Sequence, residues 1–150
     1  MDIKQELPAL YGSEKQIEWA QKVRESVIPD LEDIMDDVQA AAKRQLADGV
    51  INQATADYGI RLAEEEIRVL LGVRKASWWI DNRTYPAYYL LSYALRDFGP
   101  RRRIDPPADL QPPDMTKSTL GTRAVTLPAN DIAVTAIDDI IASMRTMDNA

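Results

Sequence analysis

Apolar residues recur every three or four positions along most of this chain, and that spacing directs it toward helices. Ile17, Ala20, Val23 and Val27 make one stripe. Leu31, Ile34, Met35, Val38, Ala41, Ala42 and Leu46 make a second, and Ile60, Ala63, Ile67, Leu70 and Leu71 a third. Tyr88, Leu91, Leu95 and Phe98 mark a fourth. Ile132, Ala136, Ile137, Ile140, Ile141 and Met144 mark a fifth. Each stripe leaves water only by packing against another element. The spacing predicts an all-α fold: a small bundle of four to five helices with a proline-rich connector and a C-terminal helix.

The boundaries follow from local chemistry. Ser13 and Gln16 stand three apart, the spacing of a capping box, so a helix is predicted to start there. Pro29 lacks an N–H and restricts the residue before it, so it either kinks one long helix or, the preferred reading, stands in the first turn of a second helix with Ile28 extended. Asp48-Gly49 and Gly72 read as helix stops. A third helix is expected from about Asn52 to Leu71. The Trp78-Trp79 segment reads as about two turns of helix, given 3.6 residues per turn. Thr84 is predicted to cap the next helix, with Pro86 near its first turn and Gly99-Pro100 at its end.

Five of the nine prolines lie within residues 100–114, which predicts an extended, polyproline-like connector. The division expected is an N-terminal arm (1–12), a helical domain (13–99), a Pro/Arg-rich linker (100–115) and a C-terminal segment with one helix (116–150). Arg123 to Leu127 also has the composition of a short strand.

Composition removes whole classes of chemistry. The 150 residues include no cysteine and no histidine. Disulfides, thiolate metal sites, histidine-ligated zinc and Ser-His-Asp catalysis are therefore excluded. An enzyme built from this chain is confined to carboxylates, Lys, Arg and Tyr, with Mg²⁺ as the natural metal. Asp33 and Asp37 are one helical turn apart and could share a cation. Together with Asp30, Glu32 and Asp36 they read more simply as a solvated face near a helix start. Glu64-Glu65-Glu66 reads the same way. No enzyme activity, metal or cofactor is expected.

The formal net charge is −6, and six basic against eleven acidic side chains fall within residues 1–48. That balance disfavours a polyanion as the main partner. No apolar run reaches the roughly 18–20 residues that cross a bilayer. The polar start, Met1-Asp2-Ile3-Lys4-Gln5-Glu6, carries no signal-peptide core. A cytoplasmic protein without membrane contact is expected.

The rarest residues fall in two short blocks that together hold all three tryptophans. The first is Leu10-Tyr11-Gly12-Ser13-Glu14-Lys15-Gln16-Ile17-Glu18-Trp19-Ala20, with Arg24 beyond it. The second is Ala76-Ser77-Trp78-Trp79-Ile80-Asp81-Asn82-Arg83. Adjacent helical residues diverge by about 100°. One of Trp78 and Trp79 is thus expected in the core and the other at a groove or rim, with Asp81 and Arg83 as a polar pair beside them. A purely structural cluster, with Arg83 bound to Asp81, is the plainer reading. The other is a recognition surface, because Trp, Tyr and Arg dominate interface hot spots. The candidate binding residues are Trp78, Trp79, Asp81, Arg83, Lys15, Gln16, Trp19 and Arg24, with Arg101, Arg102 and Arg103 as secondary candidates. Tyr85, Tyr88, Tyr89 and Tyr93 could stack bases beside Arg83 and Arg96, or form a partial core with wet hydroxyls.

The combination of Leu10, Gly12-Ser13-Glu14-Lys15-Gln16, Trp19-Ala20 and Arg24 with Trp78-Trp79-Ile80-Asp81 and Arg83 resembles a group of small proteins of phages, prophages and mobile elements. The resemblance covers roughly residues 7 to 98 and brings no reaction or cofactor with it. It implies a non-enzymatic accessory protein that binds a host protein and inhibits host defence machinery. The alternative is a nucleic-acid-associated accessory protein using Arg and aromatic residues. The apolar face of the last helix, on a long connector, further predicts a homodimer through that helix.

Overall fold

The computed structural model describes residue 3, residues 7–99, residues 104–114 and residue 116. The predicted C-terminal helix, the Arg123–Leu127 segment and the Arg101-Arg102-Arg103 run lie outside the described residues, as does the dimer contact assigned to that helix. Among the described residues the fold is all-α: α1 (Glu14–Ala47), α2 (Gln53–Leu71), α3 (Ala76–Asp81) and α4 (Ala87–Phe98), with no strand. None of these helices is long and apolar enough to cross a membrane.

The first helix starts where the capping box places it. Ser13 N–H donates to Gln16 Oε1 at 3.1 Å, and Gln16 N–H donates to Ser13 Oγ at 3.2 Å. The break predicted at Pro29 does not occur: α1 runs through it for 34 residues. An interior proline costs about 3 kcal/mol or more. Here its ring lies exposed while Val27, Ile28 and Leu31 are buried around it. Three buried aliphatic side chains, each worth roughly 1.5–3 kcal/mol, outweigh one lost backbone bond. The glycine stop is as expected, with Gly49 at φ 75° just after α1.

The start of α4 also differs from expectation. Pro86, not Thr84, occupies the N-cap, and no side chain caps it. The buried face of α4 is Ala87, Leu90, Leu91 and Ala94. Phe98 is left exposed. Of the expected Tyr88–Leu91–Leu95–Phe98 stripe, Leu91 is buried and Tyr88 and Leu95 are half-buried, while Phe98 lies outside it.

The chain divides into two compact units, each taking part of α1 and of α2. Residues 1–34 and 64–103 form the first. Its interior includes Leu31, Ile67, Leu70, Trp79, Leu90 and Leu91, all essentially without solvent contact. The arm before α1 is fastened to this unit. Tyr11 N–H donates to the Arg74 carbonyl at 2.8 Å, and Ala76 N–H to the Tyr11 carbonyl at 3.0 Å, an isolated parallel bridge. Two arginines hold the carbonyls before it: Arg24 Nη1 donates to Pro8 at 2.7 Å and Arg74 Nε to Ala9 at 2.9 Å. Gly12 turns the arm into α1 at φ 148°, where a Cβ would meet Gln16 Oε1 at 2.9 Å and the Ala76 Cβ at 3.2 Å. Only glycine suits that turn.

Residues 35–63 and, of the described residues beyond them, 104–114 and 116 form the second unit. Ala42, Val50, Ile51 and Ala56 make its buried cluster, flanked by Leu46 and Ile60. Asn52 caps α2 by accepting the Thr55 N–H at 2.9 Å. Rather than standing free, residues 104–114 of the connector are bound here. Asn52 Nδ2 donates to the Asp109 carbonyl at 2.9 Å, and Asp114 N–H donates to the Val50 carbonyl at 2.7 Å. The Thr55 hydroxyl lies 2.7 Å from Asn52 Oδ1 and 2.9 Å from the Gln111 carbonyl oxygen, so its one proton serves either, and it accepts the Gln111 N–H at 3.2 Å.

Candidate functional site

Both indoles of the second block lie inside, which corrects the expectation that one of them faces a rim. Trp79 is 0% exposed and its Nε1 donates to the Val73 carbonyl at 2.9 Å. Trp78 is 7% exposed and donates to Asp97 Oδ2 at 2.9 Å. The rings meet edge to face with centroids 5.4 Å apart. Although their Cβ vectors diverge, each ring's polar nitrogen finds an acceptor, so neither needs water. The Asp97 carboxyl is held below its ordinary range, first by the Arg96 hydrogen bond at 2.8 Å and then by the Trp78 one.

Arg83 and Asp81 do not form the expected pair. Among the described residues no ion pair joins them. Arg83 Nη1 instead donates to the Ile80 carbonyl at 2.7 Å, and its guanidinium lies 4.9 Å from the ring centroid of Trp19. That contact unites the two sequence blocks. Trp19 is 47% exposed. Lys15 stands one turn before it on α1 and is exposed, and Asp81 is exposed on α3.

Two residues of the first block are committed to architecture. Gln16 completes the capping box. Arg24, expected at the surface, is 5% exposed, because its side chain turns in to hold the Pro8 carbonyl. Burial lowers its pKa, though a guanidinium keeps its charge. The surface residues left from the sequence reading are therefore Lys15, Trp19, Asp81 and Arg83, and the structure brings Trp19 and Arg83 into contact.

Tyr85, just before α4, and the tyrosines of α4 stack on one another. Tyr85 and Tyr93 meet edge to face at 5.0 Å, Tyr89 and Tyr93 lie nearly parallel at 6.3 Å, and Arg96 covers Tyr93 at 4.7 Å. The ladder is half-buried with Tyr85 exposed at its end, between the two readings expected for it.

Sequence reasoning missed Tyr11 and Phe98, which are also exposed. Tyr11 sits in an extended arm without periodicity, and Phe98 was read as part of a buried stripe. Among the described residues no group of three or more acidic side chains could hold a metal ion. What the exposed set offers is contact: an indole, a guanidinium stacked on it and a neighbouring ammonium. Compared with protein-family models, curated proteins and solved structures, the chain matches none of them.

Proposed function

We propose that this chain is a non-enzymatic accessory protein of phage or mobile-element type that binds a host protein and inhibits host defence machinery. The observation that carries the binding role is the half-exposed Trp19 indole with the Arg83 guanidinium stacked on it. An exposed cation–π contact is worth about 0.5–1 kcal/mol. Burying a large aromatic ring at an interface can return about 2 kcal/mol or more. The stacked pair is thus better used against a partner than as a brace for the fold. Arg83 is also anchored on the Ile80 carbonyl, so less side-chain freedom is lost on docking.

The test is affinity capture from host lysate with full-length protein, with and without nuclease, comparing the natural chain with Trp19→Ala and Arg83→Ala. Capture of a host protein that survives nuclease and is lost in Trp19→Ala supports the reading. Capture abolished by nuclease favours the second reading, nucleic-acid association. The tyrosine ladder under Arg96 supports that alternative, because stacked aromatics beside a cation suit single-stranded bases. The net charge of −6 weighs against it.

A further inference from the structure

We propose that a groove bounded by Tyr11 and Phe98 is a second binding site, for an acidic peptide segment carrying one large apolar side chain. The groove encloses ≈ 250 Å³ and is lined by Tyr11, Val69, Gly72, Val73, Arg74, Lys75 and Phe98. Its apolar part comes from Val69 and Val73, both buried, and Gly72 adds no side chain there. The two aromatic rings at its boundary are each about half exposed, 56% for Tyr11 and 49% for Phe98. An apolar side chain entering between them would take its own surface and that of both rings out of water.

The charge of the groove selects the rest of the ligand. Arg74 and Lys75 line it, no acidic residue does, and neither cation has an ion-pair partner among the described residues. In a chain of net charge −6, two unpaired cations beside an apolar recess are a local reversal of sign. Asp97, the acid beside Phe98 in the sequence, is already held by Arg96 and Trp78. Among the described residues Arg74 bonds through Nε alone, to the Ala9 carbonyl, which fixes the guanidinium and leaves its terminal nitrogens for a carboxylate. The parallel bridge between Tyr11 and Lys75 fixes the backbone of both residues, so the recess is preformed. Two cations match one or two carboxylates. They are too few to offset the repulsion between this acidic chain and a long polyanion. The site shares no residue with the Trp19–Arg83 contact and does not depend on it.

The test pans a displayed library of short random peptides on the immobilised full-length protein, with Lys75→Glu protein as counter-target. Lys75 is exposed, and the thermal midpoint of Lys75→Glu checks that the variant stays folded; Phe98→Ala is the second variant. Expected are peptides rich in Asp and Glu around one aromatic or aliphatic residue. Their affinity should fall about tenfold or more in Lys75→Glu, the loss of one charge-assisted contact, and fall as salt rises. Trp19→Ala should leave their binding unchanged, which separates this site from the surface proposed above. Selected peptides without acidic bias, affinity for Lys75→Glu or Phe98→Ala equal to that for the natural chain, no selection at all, or preferential binding of oligothymidylate would each overturn the proposal.

Discussion

The two compact units each hold an extended segment, and they do so with opposite chemistry. In the first, the arm around Pro8 and Ala9 is gripped by the cationic side chains of Arg24 and Arg74. In the second, residues 104–114 are gripped by the neutral side chains of Asn52 and Thr55. The interiors differ in the same sense. Edge-to-face indoles fill the first, while alanines, Val50 and Ile51 make the cluster of the second. The surfaces follow suit. Among the described residues the large exposed apolar side chains are Tyr11, Trp19, Tyr85 and Phe98, and all four belong to the first unit. A unit that keeps aromatic rings and cations at its surface retains the means to bind something else.

The largest expected effect lies in the interior of the first unit. Trp79→Ala removes a fully buried ring and leaves the Val73 carbonyl unpaired. It should cost about 3–5 kcal/mol in urea unfolding. Thr55→Val tests the second unit, because it keeps the side-chain shape but deletes the acceptor of the Gln111 N–H. A loss of about 1–3 kcal/mol is expected. It should come with faster hydrogen exchange at Gln111 and an unchanged tryptophan spectrum. If the spectrum moves as well, the contrast between the units is weaker than drawn here.

Smaller changes sharpen the comparison. Arg83→Ala loses the exposed contact with Trp19 and the side-chain hydrogen bond to the Ile80 carbonyl, and should cost about 1–2 kcal/mol. A cost several times larger would make Arg83 a structural residue. Ser13→Ala opens the capping box and should cost on the order of 1 kcal/mol by thermal denaturation. The smallest effect is electrostatic. Hydrogen bonds from Arg96 and Trp78 hold the Asp97 carboxyl below its ordinary range. Its contribution to stability is therefore present above the ordinary carboxylate pKa and is lost as pH falls through the lowered folded value. Asp97→Asn should flatten that part of the acid limb in a stability–pH profile.

Much of the fold was legible in the sequence because the signals were local. The Ser13–Gln16 box, Gly49, the Asn52–Leu71 helix and Gly99 depend on neighbours within a turn, and the structure bears them out. Pro29 was misread because its local penalty is offset by the burial of Val27, Ile28 and Leu31, which the local rule does not include. The sites were harder. Trp78, Trp79 and Arg83 were singled out as one block, yet Arg83 finds its partner in Trp19, more than sixty positions earlier. Tyr11 and Lys75 meet only through a tertiary bridge between an arm and a turn. No periodicity announces such a contact. Arg24 shows the converse, since a charged residue on a helix was read as surface and is an anchor for the arm.

The central claim is that Trp19 serves binding while Trp78 and Trp79 serve the fold. The most direct measurement is nuclease-resistant capture of the proposed host partner by Trp19→Ala, made alongside its thermal midpoint. Trp19→Ala should be folded, with a midpoint close to that of the natural chain and capture weakened by about tenfold or more, equivalent to about 1.4 kcal/mol. Full capture by a folded Trp19→Ala protein would contradict the claim.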